Sequence, residues 1–355
     1  MSLKRPGKRK EADFLSKSRF IELVRSFGKA KILVVGDFIL DQFIWGSVDR
    51  ISPEAPVPVV QVNRESYVPG GALNVANNIL TLGGKVFPCG VLGRDLVGRM
   101  LLKVMKQNAV ETGGVIYDPT RPTIHKTRII AHSQQVVRFD REKVGDVPRK
   151  DLQRILKYVE SKIREIDGVI IEDYGKGLIT ASLIRDLLKL TKRHRKFVMV
   201  DPKERHIAYY KGVTVITPNR KEAYAALDAL GVGTENEGVR IPIEAVGKKL
   251  IGKLRCDSVL ITLGEEGMLL MEKRGAQTRI PTAAREVFDV SGAGDTVAAA
   301  FALSLARGAT LKEAAFISNL AAGIVVGKLG TATVNPDELI ESFSSVRPQV
   351  RGMAR

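Results

Sequence analysis

Asp289-Val290-Ser291-Gly292-Ala293-Gly294-Asp295-Thr296, followed by the apolar run Val297 to Ala306, joins a glycine-rich loop to a carboxylate at the start of a helix. Glycines without a Cβ let backbone N–H groups turn toward an anion, and the helix that follows aims its first-turn donors and positive dipole end at the same spot. Phosphoryl transfer needs such a junction. The dipole favours Asp295 as the anion, so it can accept a hydroxyl proton at neutral pH. On local grounds alone, Asp295 can equally be an ordinary first-turn acid after an ordinary turn. Two familiar nucleotide loops are excluded by inspection. No Lys-Ser or Lys-Thr follows the second glycine, and the position of a third glycine is held by Val297.

Outward from this loop, short β-branched runs alternate with helical patterns. Ile32 to Val35, Val169 to Ile171, Phe197 to Val200, Val213 to Ile216 and Val259 to Thr262 read as buried strands. Thr180 to Leu190, Arg220 to Leu230 and Ile243 to Leu254 have the length of crossover helices, which predicts an open α/β sandwich with a mostly parallel sheet. A helix is expected to end by Gly308, and the capping-box pattern Thr310 to Glu313 starts another toward Val326. Residues 42–62, carrying Pro53, Pro56 and Pro58, and the alternating residues 123–139 depart from this rhythm. They read as a small β lid over the substrate end, which can also serve as a dimer contact.

The 355 residues, 44% of them hydrophobic, suffice for one large domain. The expected division is a basic tail at 1–12, a catalytic domain at 13–345 and a basic tail at 346–355. Cys89 and Cys256 are too few and too far apart for a disulfide framework or a zinc site, so a reducing cytoplasm is the expected location. No apolar stretch approaches the roughly 20 residues of a membrane span. The net charge of +17 lies largely in Lys4 to Lys10, Lys189 to Lys196 and Arg347 to Arg355, without an aromatic-interleaved basic strand or a recognition helix. It reads as a solvated basic surface that attracts phosphorylated small molecules, with no nucleic acid and no membrane as partner. A nucleic-acid-binding protein on an inactive kinase fold is the alternative from another class.

Further polar groups fall at strand exits, where open α/β sheets bind ligands. Asp37 and Asp41 follow the first strand and suit vicinal hydroxyls, a metal pair or a plain turn. Gly70, Gly71 and Asn74 precede a helix, where they can seat a polyhydroxylated ligand or form its N-terminal turn. Glu172, Asp173 and Lys176 make another strand end with paired acids and a phosphate-seeking cation. Asn219 and Glu222, three residues apart, can face a cation's bound waters or cap each other's helix. Thr262, Gly264 and Gly267 form a glycine-bearing exit suited to nucleotide phosphate or ribose, or a solvated turn.

Taken in this order, Gly70-Gly71 with Asn74, Asn219 with Glu222, Thr262 with Gly264, and Gly292-Ala293-Gly294-Asp295 resemble the ribokinase-like (PfkB) carbohydrate kinases over roughly residues 30 to 340. The resemblance implies a three-layer α/β/α sandwich with a mostly parallel central sheet and a small β lid. Within the family, Arg50 to Val59 and Asp173 to Gly177 resemble the kinases of D-glycero-β-D-manno-heptose 7-phosphate. Many of those are fused to a nucleotidyltransferase with a His-x-Gly-His motif. His125, His132, His194 and His206 form no such pair, so a stand-alone kinase is expected. The resemblance further implies ATP and magnesium as cofactors, Asp295 as base, and the amides of Gly292, Ala293 and Gly294 as cradle for the transferred phosphoryl. By the same resemblance Asn219 and Glu222 organise magnesium through water. Thr262, Gly264, Gly267 and Asn319 hold the nucleotide, and Asp37, Asp41, Gly70, Gly71 and Asn74, with the acids Glu172 and Asp173, surround the heptose. Arg94, Arg138 and Lys176 are the expected cations for its 7-phosphate.

Overall fold

The computed structural model describes residues 15–132, 134–236 and 239–343. The expected tails at 1–12 and 346–355 lie outside the described residues. Along the chain the strands are β1 (Lys31–Gly36), β2 (Phe38–Ile51), β3 (Pro58–Gly71), β4 (Lys85–Leu92), β5 (Val115–Tyr117), β6 (Ile124–Ala131) and β7 (Gln134–Arg141). There follow β8 (Gly168–Glu172), β9 (Phe197–Asp201), β10 (Val215–Ile216), β11 (Glu235–Asn236), β12 (Val239–Arg240), β13 (Ser258–Thr262), β14 (Met268–Glu272) and β15 (Gln277–Ile280).

Nine of them form one sheet in the order β15-β14-β13-β10-β9-β8-β1-β4-β5. It is parallel from β5 to β13 and antiparallel at β14 and β15. Both faces are covered, as the β-branched runs require. Ile32 and Val34 of β1 point into one apolar layer with the helices Ala72–Thr81, Ala293–Ala306 and Leu311–Val325. Leu33 and Val35 point into the other, with the helices Arg149–Lys162, Ala181–Arg193, Arg220–Ala229 and Ile243–Leu254. Burying each such side chain contributes roughly 1.5–3 kcal/mol.

The chain leaves β1 for β4 on one side and returns at β8 on the other, so the direction of winding switches between β1 and β8. Ligand crevices open at such a point, outside the carboxyl ends of the strands.

The segments expected to leave this rhythm form a separate sheet, β3-β2-β6-β7. Its strands extend beyond the expected bounds: β2 and β3 reach from 38 to 71, and β6 with β7 from 124 to 141. Pro53 and Pro56 fall in the connection between β2 and β3, and Pro58 is the first residue of β3, where a missing N–H breaks no ladder. Four strands of the nine-stranded sheet were absent from the expectation, β4, β5, β14 and β15, as was the short pair β11 and β12. In β4, Pro88 argues against a central strand, yet its free side is unpaired because β5 joins only from Gly90 onward.

Candidate active site

Asp295 is the third residue of the helix Ala293–Ala306, whose N-cap is Gly292 in the left-handed region at φ 80°. Among the described residues, neither the N–H of Gly292 nor that of Gly294 has an acceptor. The N–H of Ala293 reaches back to the Val290 carbonyl at 3.2 Å, so two of the three expected cradle amides are open and the third is shared with the turn. A Cβ on Gly294 would meet nothing within 4 Å. The space over this loop is room for an anion.

The carboxylate itself is held from two directions. Asn74 Nδ2 donates to Asp295 Oδ2 at 2.5 Å, and the Tyr174 hydroxyl donates to Oδ1 at 3.3 Å. Behind Asn74 the network continues. Asn78 Nδ2 donates to the Asn74 carbonyl at 2.9 Å, and Thr296 Oγ1 donates to Asn78 Oδ1 at 2.8 Å. This ties the helix Ala72–Thr81 to the helix that carries the base and fixes the carboxylate's rotamer. Asn74, expected to grip a sugar hydroxyl, is 1% exposed, and its amide nitrogen donates to Asp295.

Burial dominates the charge of the site. It pushes the Asp295 carboxyl up to about 6, against the hydrogen bonds from Asn74 and Tyr174 that hold it down. Desolvation therefore outweighs the helix dipole expected to favour the anion. A carboxyl titrating near 6 is still mostly ionised at pH 7 and better matched to taking a proton than one near 4.

Beside it stand Glu172 at the end of β8 and Asp201 at the end of β9, with carboxylate oxygens of all three acids within 4.8 Å of one another. Glu172 is fully buried, and both of its oxygens lack a hydrogen-bond partner. Burial, then the charges of Asp201 and Asp295, raise its carboxyl well above the usual range. Burial and the nearby Glu222 do the same for Asp201, whose surface is only partly buried. A set of hard oxygen donors with an orphaned carboxylate suits a magnesium ion. Glu172 therefore lies beneath the site rather than among the sugar contacts expected of it.

Several expected ligands organise the site's walls. Asp37 Oδ2 accepts the N–H groups of Tyr174 and Lys176 at 3.2 and 3.1 Å, and burial pushes its carboxyl up to about 6. Asp173 accepts from Gly175 N, His206 Nδ1 and the Tyr210 hydroxyl. Both acids thus pin the 173–178 loop that presents Tyr174; Asp173 has both oxygens engaged, whereas the bonds to Asp37 occupy only its Oδ2. Gly71, at φ 58°, caps the helix Ala72–Thr81, and Gly70 leaves room for Asp41, whose Oδ2 a Cβ would approach to 2.0 Å. Asp41 remains beside the cleft, bonded to Arg128 at 2.5 Å.

Asn219 and Glu222 cap each other's backbone at the start of the helix Arg220–Ala229, the local alternative open from the sequence. Thr262 bridges to Asn219, which brings the two strand exits together. Gly264, at φ 64°, faces open space, whereas Gly267 is needed because a Cβ would lie 2.1 Å from the Ile280 carbonyl. Asn319 donates to the Pro281 carbonyl at 2.8 Å, beside a cavity of about 370 Å³ lined by Ala283, Phe288, Leu320, Gly323 and Ile324. That cavity suits a flat heteroaromatic base. Of the three expected phosphate cations, Lys176 is bonded to Glu142 at 2.6 Å and Arg138 to Asp140 at 3.0 Å, while Arg94 stands exposed beyond β4.

An open amide loop, a held carboxylate and an acidic floor at the carboxyl edge of an α/β sheet define a phosphotransferase site. The sequence of residues 29–338 matches the model of the pfkB family of carbohydrate kinases, and the chain belongs to that family. It is 44% identical over 316 residues to the "Bifunctional protein HldE" of Desulfatibacillum aliphaticivorans, covering 89% of this chain and 63% of that protein. The protein of the same name from Helicobacter pylori J99 is 42% identical over 321 residues, 90% of this chain and 68% of that one. The chain thus spans about two thirds of the length of these relatives. Among solved structures, a Thermotoga maritima ribokinase superposes with TM-score 0.68 at 21% identity, over 89% of this chain and 99% of that one. Escherichia coli phosphofructokinase-2, in complex with potassium, gives 0.71 at 17%, over 90% and 99%. These last two establish the fold as ribokinase-like. No helix among the described residues is long and apolar enough to cross a membrane.

Proposed function

We propose that the chain transfers the γ-phosphoryl group of ATP to the anomeric hydroxyl of D-glycero-β-D-manno-heptose 7-phosphate. The product is the 1,7-bisphosphate, used for ADP-heptose and the lipopolysaccharide inner core. The observation that carries the transfer is Asp295 held by Asn74 and Tyr174 beside the open Gly292 and Gly294 amides. The identity to proteins named HldE and the stretches Arg50 to Val59 and Asp173 to Gly177 support the acceptor.

In this reading Asp295 takes the proton from the sugar O1, O1 forms its bond to the γ-phosphorus, and the bond from that phosphorus to the β–γ bridging oxygen breaks, releasing ADP. The two amides and the helix N-terminus stabilise charge on the equatorial oxygens. Asp41 orients sugar hydroxyls. The adenine rests in the cavity beside Asn319, with Thr262 and Gly264 near its ribose and phosphates. Magnesium fits the acids at the β8 and β9 ends together with Glu222 of the helix Arg220–Ala229: Asp201 and Glu222, backed by Glu172, would hold it, and it would neutralise phosphate charge. We assign the enzyme to the reducing, ATP-containing cytoplasm, in line with Cys89 and Cys256, both buried free thiols. The test is ATP consumption across phosphorylated and free sugars. Heptose 7-phosphate is expected to give the highest kcat/KM, and a higher value for a hexose phosphate, ribose or a nucleoside would replace it as the substrate.

The second sheet has two unlike faces. Asp41, Phe43, Trp45, Lys126 and Arg128 share the face toward the cleft, and this sheet is proposed as the lid. Tyr67, Val137 and Phe139 lie on the other, 45%, 46% and 53% exposed. We assign that apolar face to a second copy of the chain. Phe139→Asp is expected to convert a dimer to a monomer in light scattering, and an unchanged mass would place the contact elsewhere.

A further inference from the structure

We infer that Lys126 of β6, rather than Lys176, Arg138 or Arg94, is the cation that receives the acceptor's remote phosphate and so selects phosphorylated over free sugars. The inference rests on the function proposed above for this site.

Register places Lys126 directly across from Asp41 on one side and Asp140 on the other, so its side chain emerges on the face of the second sheet that looks into the cleft. Its ammonium lies 5.4 Å from the centre of the Tyr174 ring, whose hydroxyl is bonded to Asp295. One aromatic ring thus separates this cation from the carboxylate that must meet the attacked hydroxyl. A sugar whose O1 rests on Asp295 has its far end directed away from the base, toward the second sheet.

The neighbouring cations are already neutralised. Arg128 is bonded to Asp41, Lys176 to Glu142 and Arg138 to Asp140. Among the described residues, Lys126 has neither a hydrogen-bond acceptor nor a carboxylate within ion-pair distance. It is also half-buried, and burial works against its charge. A half-buried ammonium without a hydrogen-bonded anion is unfavourable, and an anionic ligand removes that cost. A neutral sugar cannot. The charges felt at Lys126 besides its own are the pairs' members Asp41, Lys176, Asp140 and Arg138, which act in opposite directions, so an anion there bonds to Lys126 itself.

The experiment is initial-rate kinetics of the parent, Lys126→Met and Lys126→Arg with heptose 7-phosphate and with the same heptose lacking the phosphate. A charge-assisted hydrogen bond lost from the complex should raise the phosphorylated acceptor's KM about 10- to 100-fold in Lys126→Met. The KM values for ATP and for the free heptose should stay within about twofold, and Lys126→Arg should recover part of the loss. Inorganic phosphate should compete with the phosphorylated acceptor in the parent and lose that effect in Lys126→Met. Equal damage toward both acceptors, or a fall mainly in kcat, would overturn the inference by moving Lys126 to the transferred phosphoryl group. If Lys126→Met does not fold, the arginine variant and phosphate competition in the parent decide. A parent that ignores heptose 7-phosphate but accepts another sugar phosphate defeats only the named substrate, and the same comparison is then run with that sugar. A parent that prefers free sugars overturns both readings.

Discussion

Asp295→Asn is expected to lower kcat by about three orders of magnitude, within the range removed with a general base, while ATP affinity stays within a few fold. The amide keeps the shape of the carboxylate and can still meet Asn74 and Tyr174, but it cannot take a proton. The pH dependence makes the assignment sharper. Because burial raises the Asp295 carboxyl to about 6, kcat/KM of the parent should fall tenfold per unit below that pH, and the residual rate of the variant should lack this limb. Stability should move the other way. The ordinary value is 3.8 and the folded value about 6, so ionisation opposes folding: the penalty is absent below the lower value and complete above the upper one. Asp295→Asn removes it. The variant should melt a few degrees above the parent at pH 8, with the difference shrinking as pH falls from 6 toward 4. Near-parental turnover would remove Asp295 from the role of base.

The gap between what the chain spells out and what only its coordinates reveal follows the range of the interactions. Strands β1, β8, β9 and β13 are unbroken apolar runs, and a strand buried on both faces has to be one. β4 hides because Pro88 and Gly90 interrupt its run, and β14 and β15 because they hairpin back without a crossover helix. The loop ending in Asp295 was legible, since its chemistry is local. Its bond to Asn74 was not legible, because Asn74 stands 221 residues away and only the packing of two helices turns its amide toward the base. Asp201 carried a readable signal, an acid at the end of a β-branched strand before Pro202, the same signal that singled out Asp37. Lys126 carried none. Which face of β6 it occupies follows from its register with Asp41, and its isolation follows from pairings that join β6, β7 and the 173–178 loop.

Gly292→Val should reduce kcat/KM by about 10²- to 10³-fold, comparable to the loss of one donor from an oxyanion hole, and should also lower the melting temperature. Two effects act together. At φ 80° a β-branched residue is strained, on the order of 1–2 kcal/mol. Its Cβ would also lie 2.8 Å from Asn74 Nδ2 and 2.9 Å from Thr331 Cγ2. The atom nearest to that clash is the one that donates to Asp295, so relief by moving Asn74 disorders the base, and relief by moving the loop tilts the open amides away from the phosphoryl group. Gly294→Ala is the informative contrast, because position 294 has no positive φ and a Cβ there meets no protein atom. Its methyl group can only intrude on space over the loop. Gly294→Ala should therefore leave the melting temperature within about a degree while weakening ATP turnover, whereas Gly292→Val should lose both. If Gly294→Ala had the kinetics of the parent, the open space above the loop would not be where the transferred phosphoryl sits. The amides would then have to serve another part of the nucleotide.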